Sequence, residues 1–327
     1  MQAFVTGSTG LLGSNLVQQL VEKGWQVKAL VRSSAKAKGL FGDLPVTLVE
    51  GDMLNIDQFA EELRGADVLF HAAAYFREYY QPGDHWQMLE TINVKGTIKL
   101  LEAAERMGVH KAIYVSSTTV IGAKTDGTQA DESTPPDRFT TNLYRKSKIL
   151  AEAAIADFLK THQLPVVSIL PAWMWGPRDV APTNAGRLVQ NFLKRSIPAI
   201  LPGGGMIVDA RDVAEAMIAA VERGSSGERY IVGGNYYTLE TVFRLLEKAS
   251  GIAAPTRRLP YPLAFTFAWF SELLARLRNR EALVTLEGLR VLQDRTPVSS
   301  AKAIRELGTS FRPLETTLRD EVAWYRA

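Results

Sequence analysis

Along the first half of the chain, short unbroken apolar runs alternate with stretches whose apolar residues recur at helical spacing. After the run that opens the chain, strand-like runs fall at 27–31, 46–50, 68–71, 112–116 and 166–170. Helical spacing marks 11–23, 35–41, 56–63, 86–107 and 142–162. Runs of this length suit strands covered on both faces, and strands alternating with helices make βαβ units in a parallel sheet. Beyond Pro171 the texture changes. Gly and Pro cluster up to residue 205, then helical spacing dominates at 211–222, 239–250, 261–277, 280–292 and 314–325. The pattern predicts an α/β chain: a doubly wound parallel sheet over 1–170 and a smaller, mostly helical part over 171–327, which would bind substrate if the sheet holds a cofactor. Segments at about 206–232 are expected to return to the first domain, with 206–208 and 230–232 as the short apolar candidates.

The opening stretch, Gln2-Ala3-Phe4-Val5-Thr6-Gly7-Ser8-Thr9-Gly10-Leu11-Leu12-Gly13, is a strand, a tight turn and a helix start. Gly7 can take backbone angles closed to other residues. Gly10 lets a pyrophosphate approach the main chain, and Gly13 lets the helix pack on the strand. The first helical amides then point at the phosphates. Between a strand and a helix, this glycine spacing marks the dinucleotide site of a Rossmann-type sheet; an ordinary βα turn is the plainer alternative. Expected cofactor contacts on the turn are Gly7, Ser8, Thr9, Gly10, Leu11 and Leu12. The groove would extend to Asp52 and Met53 after the third strand, Asp52 accepting from an adenine amino group. Ala72, Ala73 and Ala74 after the fourth strand would line the ribose and nicotinamide.

An NAD site presents a carboxylate at the end of the second strand for the ribose hydroxyls. Leu30-Val31-Arg32-Ser33-Ser34 offers none. Arg32 instead puts a guanidinium where a 2′-phosphate would lie, with Lys36 and Lys38 nearby, so NADP(H) is expected over NAD(H). Charge elsewhere adds little: the net +3 over 327 residues is small and scattered, and nucleic acid is not implied. The absence of cysteine excludes disulfides and thiolate chemistry. No metal-ligating cluster is expected. With a strand so soon after Met1 and no signal peptide, a cytoplasmic protein is expected. The apolar stretch 261–275 carries Ser271 and Glu272 and is too short to span a bilayer. Its aromatics Phe265, Phe267, Trp269 and Phe270 are expected to seal a core or lid a pocket rather than touch a membrane.

Tyr144 and Lys148 are four residues apart and share a helical face. A phenol is a poor acid at neutral pH, with a free pKa near ~10, and a close ammonium favours its ionised form. Such a phenol can give a proton to a carbonyl oxygen as hydride arrives. Taken alone the spacing is common. It gains weight because it follows Tyr114-Val115-Ser116-Ser117-Thr118-Thr119, a strand end rich in hydroxyls, where ligands of open α/β sheets lie.

Here the chain resembles the extended branch of the short-chain dehydrogenase/reductase superfamily, and within it the NADPH-dependent dihydroflavonol-4-reductase-like group. The resemblance rests on Thr6 to Gly13, Gly51-Asp52, His71 to Ala74, Asn93-Val94-Lys95-Gly96-Thr97, Ser116-Ser117, Tyr144 to Lys148 and Pro171 to Pro177. It spans about half the chain in the family's order. It implies a catalytic triad of Ser117, Tyr144 and Lys148, with Ser117 chosen because it lies five residues before Gly122; Ser116 and Thr118 are the alternatives. It also implies cofactor contacts at Lys148, Tyr144 and Pro171, a supporting role for Asn93, and a homodimer through the helices at 86–107 and 142–162.

Three activities fit this family. Dehydratases place carboxylates just after the catalytic hydroxyl, where this chain has Thr118 and Thr119. Epimerases usually carry an acid after the second strand, where this chain has Val31-Arg32. A reductase needs only NADPH, Tyr144, Ser117 and a pocket. Tyr75, Phe76 and Tyr79 after the fourth strand, and Trp173 and Trp175 after the sixth, suit an apolar or aromatic aldehyde or ketone. A non-catalytic NADP-binding sensor is the alternative outside enzymes.

Overall fold

The computed structural model describes residues 1–76, 84–124, 126–137, 140–278, 286–293 and 297–327. The chain begins with β1 (Gln2–Thr6), α1 (Leu11–Glu22), β2 (Gln26–Val31), α2 (Ser34–Phe41), β3 (Val46–Glu50) and β4 (Val68–His71). There follow α3 (Trp86–Leu89), a π-helical segment (Glu90–Gly96), α4 (Thr97–Arg106), β5 (Lys111–Val115), α5 (Leu143–Thr161) and β6 (Val166–Pro171). The remainder holds β7 (Trp173–Trp175), α6 (Asn184–Leu193), β8 (Gly204–Asp209), α7 (Ala210–Arg223), β9 (Arg229–Val232) and β10 (Asn235–Thr238). It ends with α8 (Leu239–Ser250), α9 (Tyr261–Arg278), α10 (Leu286–Gln293) and α11 (Leu314–Arg326).

Seven strands form one sheet in the order β3-β2-β1-β4-β5-β6-β9, parallel throughout. The central strands are covered on both faces, and all six residues of β6 are buried. On one face α1 and α7 pack on each other and, with α2, share a core with the sheet: Leu16, Val17 and Leu20 meet Val213, Ala214 and Met217. On the other, α4 and α5 bury Leu100, Leu101, Ala151, Ile155 and Phe158. The winding reverses between β1 and β4, and this opens a crevice beyond the carboxyl ends of those strands.

Four expectations change in three dimensions. The helical spacing at 56–63 becomes two 3₁₀ turns, Ile56–Gln58 and Ala60–Leu63, because Phe59 leaves helical angles (φ −122°). Its ring lies 6.0 Å from that of Phe4. Of the two returning segments, 230–232 joins the main sheet as its seventh strand. Residues 206–208 instead join a second sheet, β10-β8-β7, in which β8 pairs antiparallel to β10 and parallel to β7. The Gly/Pro-rich region contains α6, which was not expected; Thr183 caps it by accepting from the Gly186 amide. The aromatics of α9 do not seal a core: Phe265, Phe267, Trp269 and Phe270 are 40–51% exposed. The stretch expected as a helix at 280–292 lies in part outside the described residues and is α10 over the rest.

Candidate active site

The loop between β1 and α1 is shaped by its glycines. Gly7 has φ +67°, and a Cβ there would come within 2.6 Å of the Ala73 amide nitrogen. A Cβ on Gly13 would run into the Gly7 carbonyl. Gly10 differs: a Cβ would meet only the Gly7 oxygen, at 3.4 Å, so the chain's own packing leaves room for a side chain there. α1 opens on Gly10 with no capping side chain and no acid in its first turn, and Leu11 and Leu12 are buried. Only main-chain amides at the positive end of a helix dipole remain for a ligand, which suits a pyrophosphate. The buried Ser8 hydroxyl donates to the Leu30 carbonyl (2.7 Å) and ties the loop to β2, while Thr9 is exposed.

Beyond β2, Arg32 and Lys36 are exposed. The register that places Val31 opposite Glu50 also brings a carboxylate that the linear sequence did not suggest. Glu50 accepts from the Ser34 amide (2.9 Å), which holds its carboxyl below the usual range. Asp52 accepts from the Leu54 amide at 2.9 Å, and Met53 is buried.

At the carboxyl end of β4 a chain of polar contacts crosses the core. The His71 ring nitrogens lie 2.8 and 3.0 Å from the hydroxyls of Thr6 and Thr97. Burial, with the Lys148 charge second, lowers its pKa to about 3, so the ring is neutral. Thr97 donates to the Asn93 carbonyl in the π-helical segment (2.8 Å). The buried Asn93 side chain then clamps Tyr75, accepting from its amide (2.7 Å) and donating to its carbonyl (3.1 Å), and donates to Ser147 on α5 (3.1 Å). Ser147 in turn donates to the Tyr144 carbonyl (2.7 Å). Strand, loop and helix are thus joined by polar groups, of which sequence reasoning singled out Asn93 as a support but not its partners Thr6, Thr97 and Ser147. The one available signal was Thr6, Asn93, Thr97 and Ser147 standing on otherwise apolar faces.

α5 begins at Leu143 because Asn142 accepts from the Arg145 amide (2.8 Å). That start sets Tyr144 half-buried on the first turn and Lys148 one turn below it, 2% exposed. Lys148 Nζ lies 6.0 Å from the Tyr144 ring centroid and donates to the Val115 carbonyl (2.8 Å) and the Tyr114 hydroxyl (3.3 Å). Burial lowers its pKa to about 8, against the opposing charge of Glu152. Ser117 caps the 3₁₀ turn Thr118–Val120, which packs on α5, and it accepts from the Thr119 amide and hydroxyl at 3.2 and 3.0 Å. Ser116 is buried, whereas Ser117 and Thr118 are partly exposed.

The expected pocket residues separate. The Phe76 ring lies 4.7 Å from the Tyr144 ring with planes at 60°, and the Tyr75 hydroxyl is 2.7 Å from His85 Nδ1. Ala72 and Ala73 are half-buried and Ala74 is exposed beside them. Pro171 is buried at the end of β6. Tyr79 lies outside the described residues. Trp173 and Trp175 form β7 rather than a pocket loop. Trp175 is a correction: at 0% exposure it packs with Val189, Phe192 and Phe243 in the C-terminal core, and Trp173 lies against that core half-buried.

A family model described as "NAD dependent epimerase/dehydratase family" matches residues 3–233. A Synechocystis sp. protein named "Putative dihydroflavonol 4-reductase" is 34% identical over 328 residues, covering 99% of this chain and 94% of its own. Sterol demethylase protein B of Methylococcus capsulatus is 29% identical over 328 residues, 100% and 98% covered. The crystal structure of gox2253 has a TM-score of 0.84 and 35% identity, covering 99% of this chain and 97% of that one. The chain therefore belongs to the NAD-dependent epimerase/dehydratase family of extended short-chain dehydrogenases/reductases, and is an NAD(P)-dependent oxidoreductase acting on CH–OH or carbonyl groups.

Proposed function

We propose that the protein reduces an apolar or aromatic aldehyde or ketone with NADPH, Tyr144 supplying the proton. The observation that carries this reading is the convergence on one phenol of an apolar ring, Phe76 at 4.7 Å, and a buried cation, Lys148 at 6.0 Å. NADPH, when bound, would supply hydride to the carbonyl carbon. The glycine turn and the first amides of α1 hold the pyrophosphate. Ala72, Ala73 and Ala74 would line the nicotinamide, and Lys148 would hold the ribose hydroxyls. Ser117 orients the substrate oxygen. The Tyr144 hydroxyl gives its proton to that oxygen as the new C–H bond forms, and the phenolate left behind is favoured by the Lys148 ammonium and regains a proton from solvent. Sterol and dihydroflavonol, in the names of the two relatives, are ring compounds rich in apolar surface, in keeping with Tyr75 and Phe76.

Loss of NADPH absorbance over a panel of aromatic and alicyclic carbonyls tests this. Tyr144→Phe should lower kcat/KM by roughly 10²–10⁴-fold while leaving NADPH affinity within a few-fold. Binding without turnover in the parent protein would make it a sensor. Cofactor retained through purification, with interconversion of a nucleotide sugar, would make it an epimerase.

NADPH is preferred, on this reading, because Arg32 stands exposed past β2 with no acid on that strand end. Glu50 on the neighbouring strand opposes it in charge. Arg32→Asp should raise the KM for NADPH about tenfold or more relative to that for NADH; equal changes in both would remove the preference.

A further inference from the structure

A surface helix ordinarily turns its large apolar residues inward. α9 does the reverse. Ala264, Ala268 and Ala275, spaced along one stripe, are 0–6% exposed. The large side chains point outward: Leu263 57%, Phe267 45%, Phe270 51% and Leu274 44% exposed on one side, Phe265 40% and Trp269 49% on another. Small residues let the helix lie close on the protein while its bulk faces away. In the sequence around it basic residues outnumber acids. From 257 to 278 the chain carries Arg257, Arg258, Arg276 and Arg278 against a single acid, Glu272. Glu272 is half-buried and accepts from the Leu286 amide at 2.7 Å, so it is turned to the protein, while Arg258 meets Glu240 at the exposed rim.

We infer that α9 seats the protein on an anionic lipid surface, lying in the plane of the headgroups with its aromatic and leucine side chains in the acyl boundary. Charge selects this occupant. Two copies paired through α9, parallel or antiparallel, would bring arginine-bearing ends together, whereas an anionic bilayer receives both ends. Apolar residues on more than one side of the helix, with aromatics among them, fit an interfacial layer better than a shaped protein groove. No helix among the described residues is long and apolar enough to cross a membrane, so contact from one side is what α9 can make. The inference is independent of the reaction proposed above.

Co-sedimentation of the full chain with vesicles tests it. The protein should pellet with vesicles of equal phosphatidylglycerol and phosphatidylcholine, less with phosphatidylcholine alone, and less as salt is raised. The double substitution Phe267→Ser/Phe270→Ser should weaken binding roughly tenfold or more with turnover of a soluble substrate unchanged. The unsubstituted protein should also show a blue shift of fluorescence on vesicles that Trp269→Phe removes. This second readout does not depend on how the double variant folds. No pelleting, pelleting unaffected by the double substitution, or a fluorescence change indifferent to Trp269 would each overturn the inference. A dimer in light scattering that the double substitution dissolves would give the face to a second copy and overturn it equally.

Discussion

Lys148 carries its charge in a place that disfavours charge. Its side chain is 2% exposed, and burial takes its pKa from 10.5 to about 8. As pH falls from 10.5 to 8 the unfolded chain takes up a proton that the folded protein binds more weakly, so stability is lost over that window and stays lost below it. The cost is on the order of 1–3 kcal/mol at neutral pH. Lys148→Met should therefore melt no lower than the parent near neutrality, and the parent should gain on it as pH approaches 10.5, measured by thermal denaturation. Turnover should meanwhile be abolished, and in the parent kcat/KM for reduction should fall above about pH 8 as the ammonium is lost. The spacing of Tyr144 and Lys148 is visible in the chain because one helix carries both. Glu50 beside Ser34 is not visible, since only the pairing of β2 with β3 brings them together.

The strand–turn–helix at the start of the chain divides its glycines by role. Gly7 and Gly13 answer to internal packing; Gly10 has room for a methyl group. Gly7→Ala should destabilise the fold by about 2–4 kcal/mol, combining an unfavourable φ with backbone overlap. Gly10→Ala should cost about 1 kcal/mol or less. Yet it should weaken NADPH binding roughly tenfold or more, because the methyl would stand where the pyrophosphate approaches. Melting temperature and cofactor titration separate the two; a Gly10→Ala protein that binds NADPH normally would remove the phosphate role. The π-helical segment 90–96 is an element no apolar spacing announces, and within it Asn93 reaches both Tyr75 and Ser147.

Across the whole molecule the sheet draws its strands from both sides of residue 170. β9 extends it to Val232 and α7 packs on α1, while Glu321 of α11 accepts from the Gly176 amide at 3.1 Å. Within the loop that this contact anchors, the Pro177 and Arg178 carbonyls accept from Asn15 and Ser14 of α1, at 2.9 and 3.2 Å. The C-terminal part is thus joined to the helix that opens the cofactor groove. On α3, α4 and α5, where the family resemblance implies a dimer, Leu150 is the sole large hydrophobic exposed among the described residues; exposed apolar surface gathers on α9 instead.

By itself the sequence determined the alternation of strand and helix, the glycine turn and the Tyr144–Lys148 face, since each depends on residues within a few positions of one another. Tertiary structure alone decided that 206–208 lies in a second sheet, that Trp175 is core, and that Phe76 rather than a tryptophan meets Tyr144. It also turned α9 outward. These outcomes depend on which faces find a partner across the chain, and no local spacing encodes that.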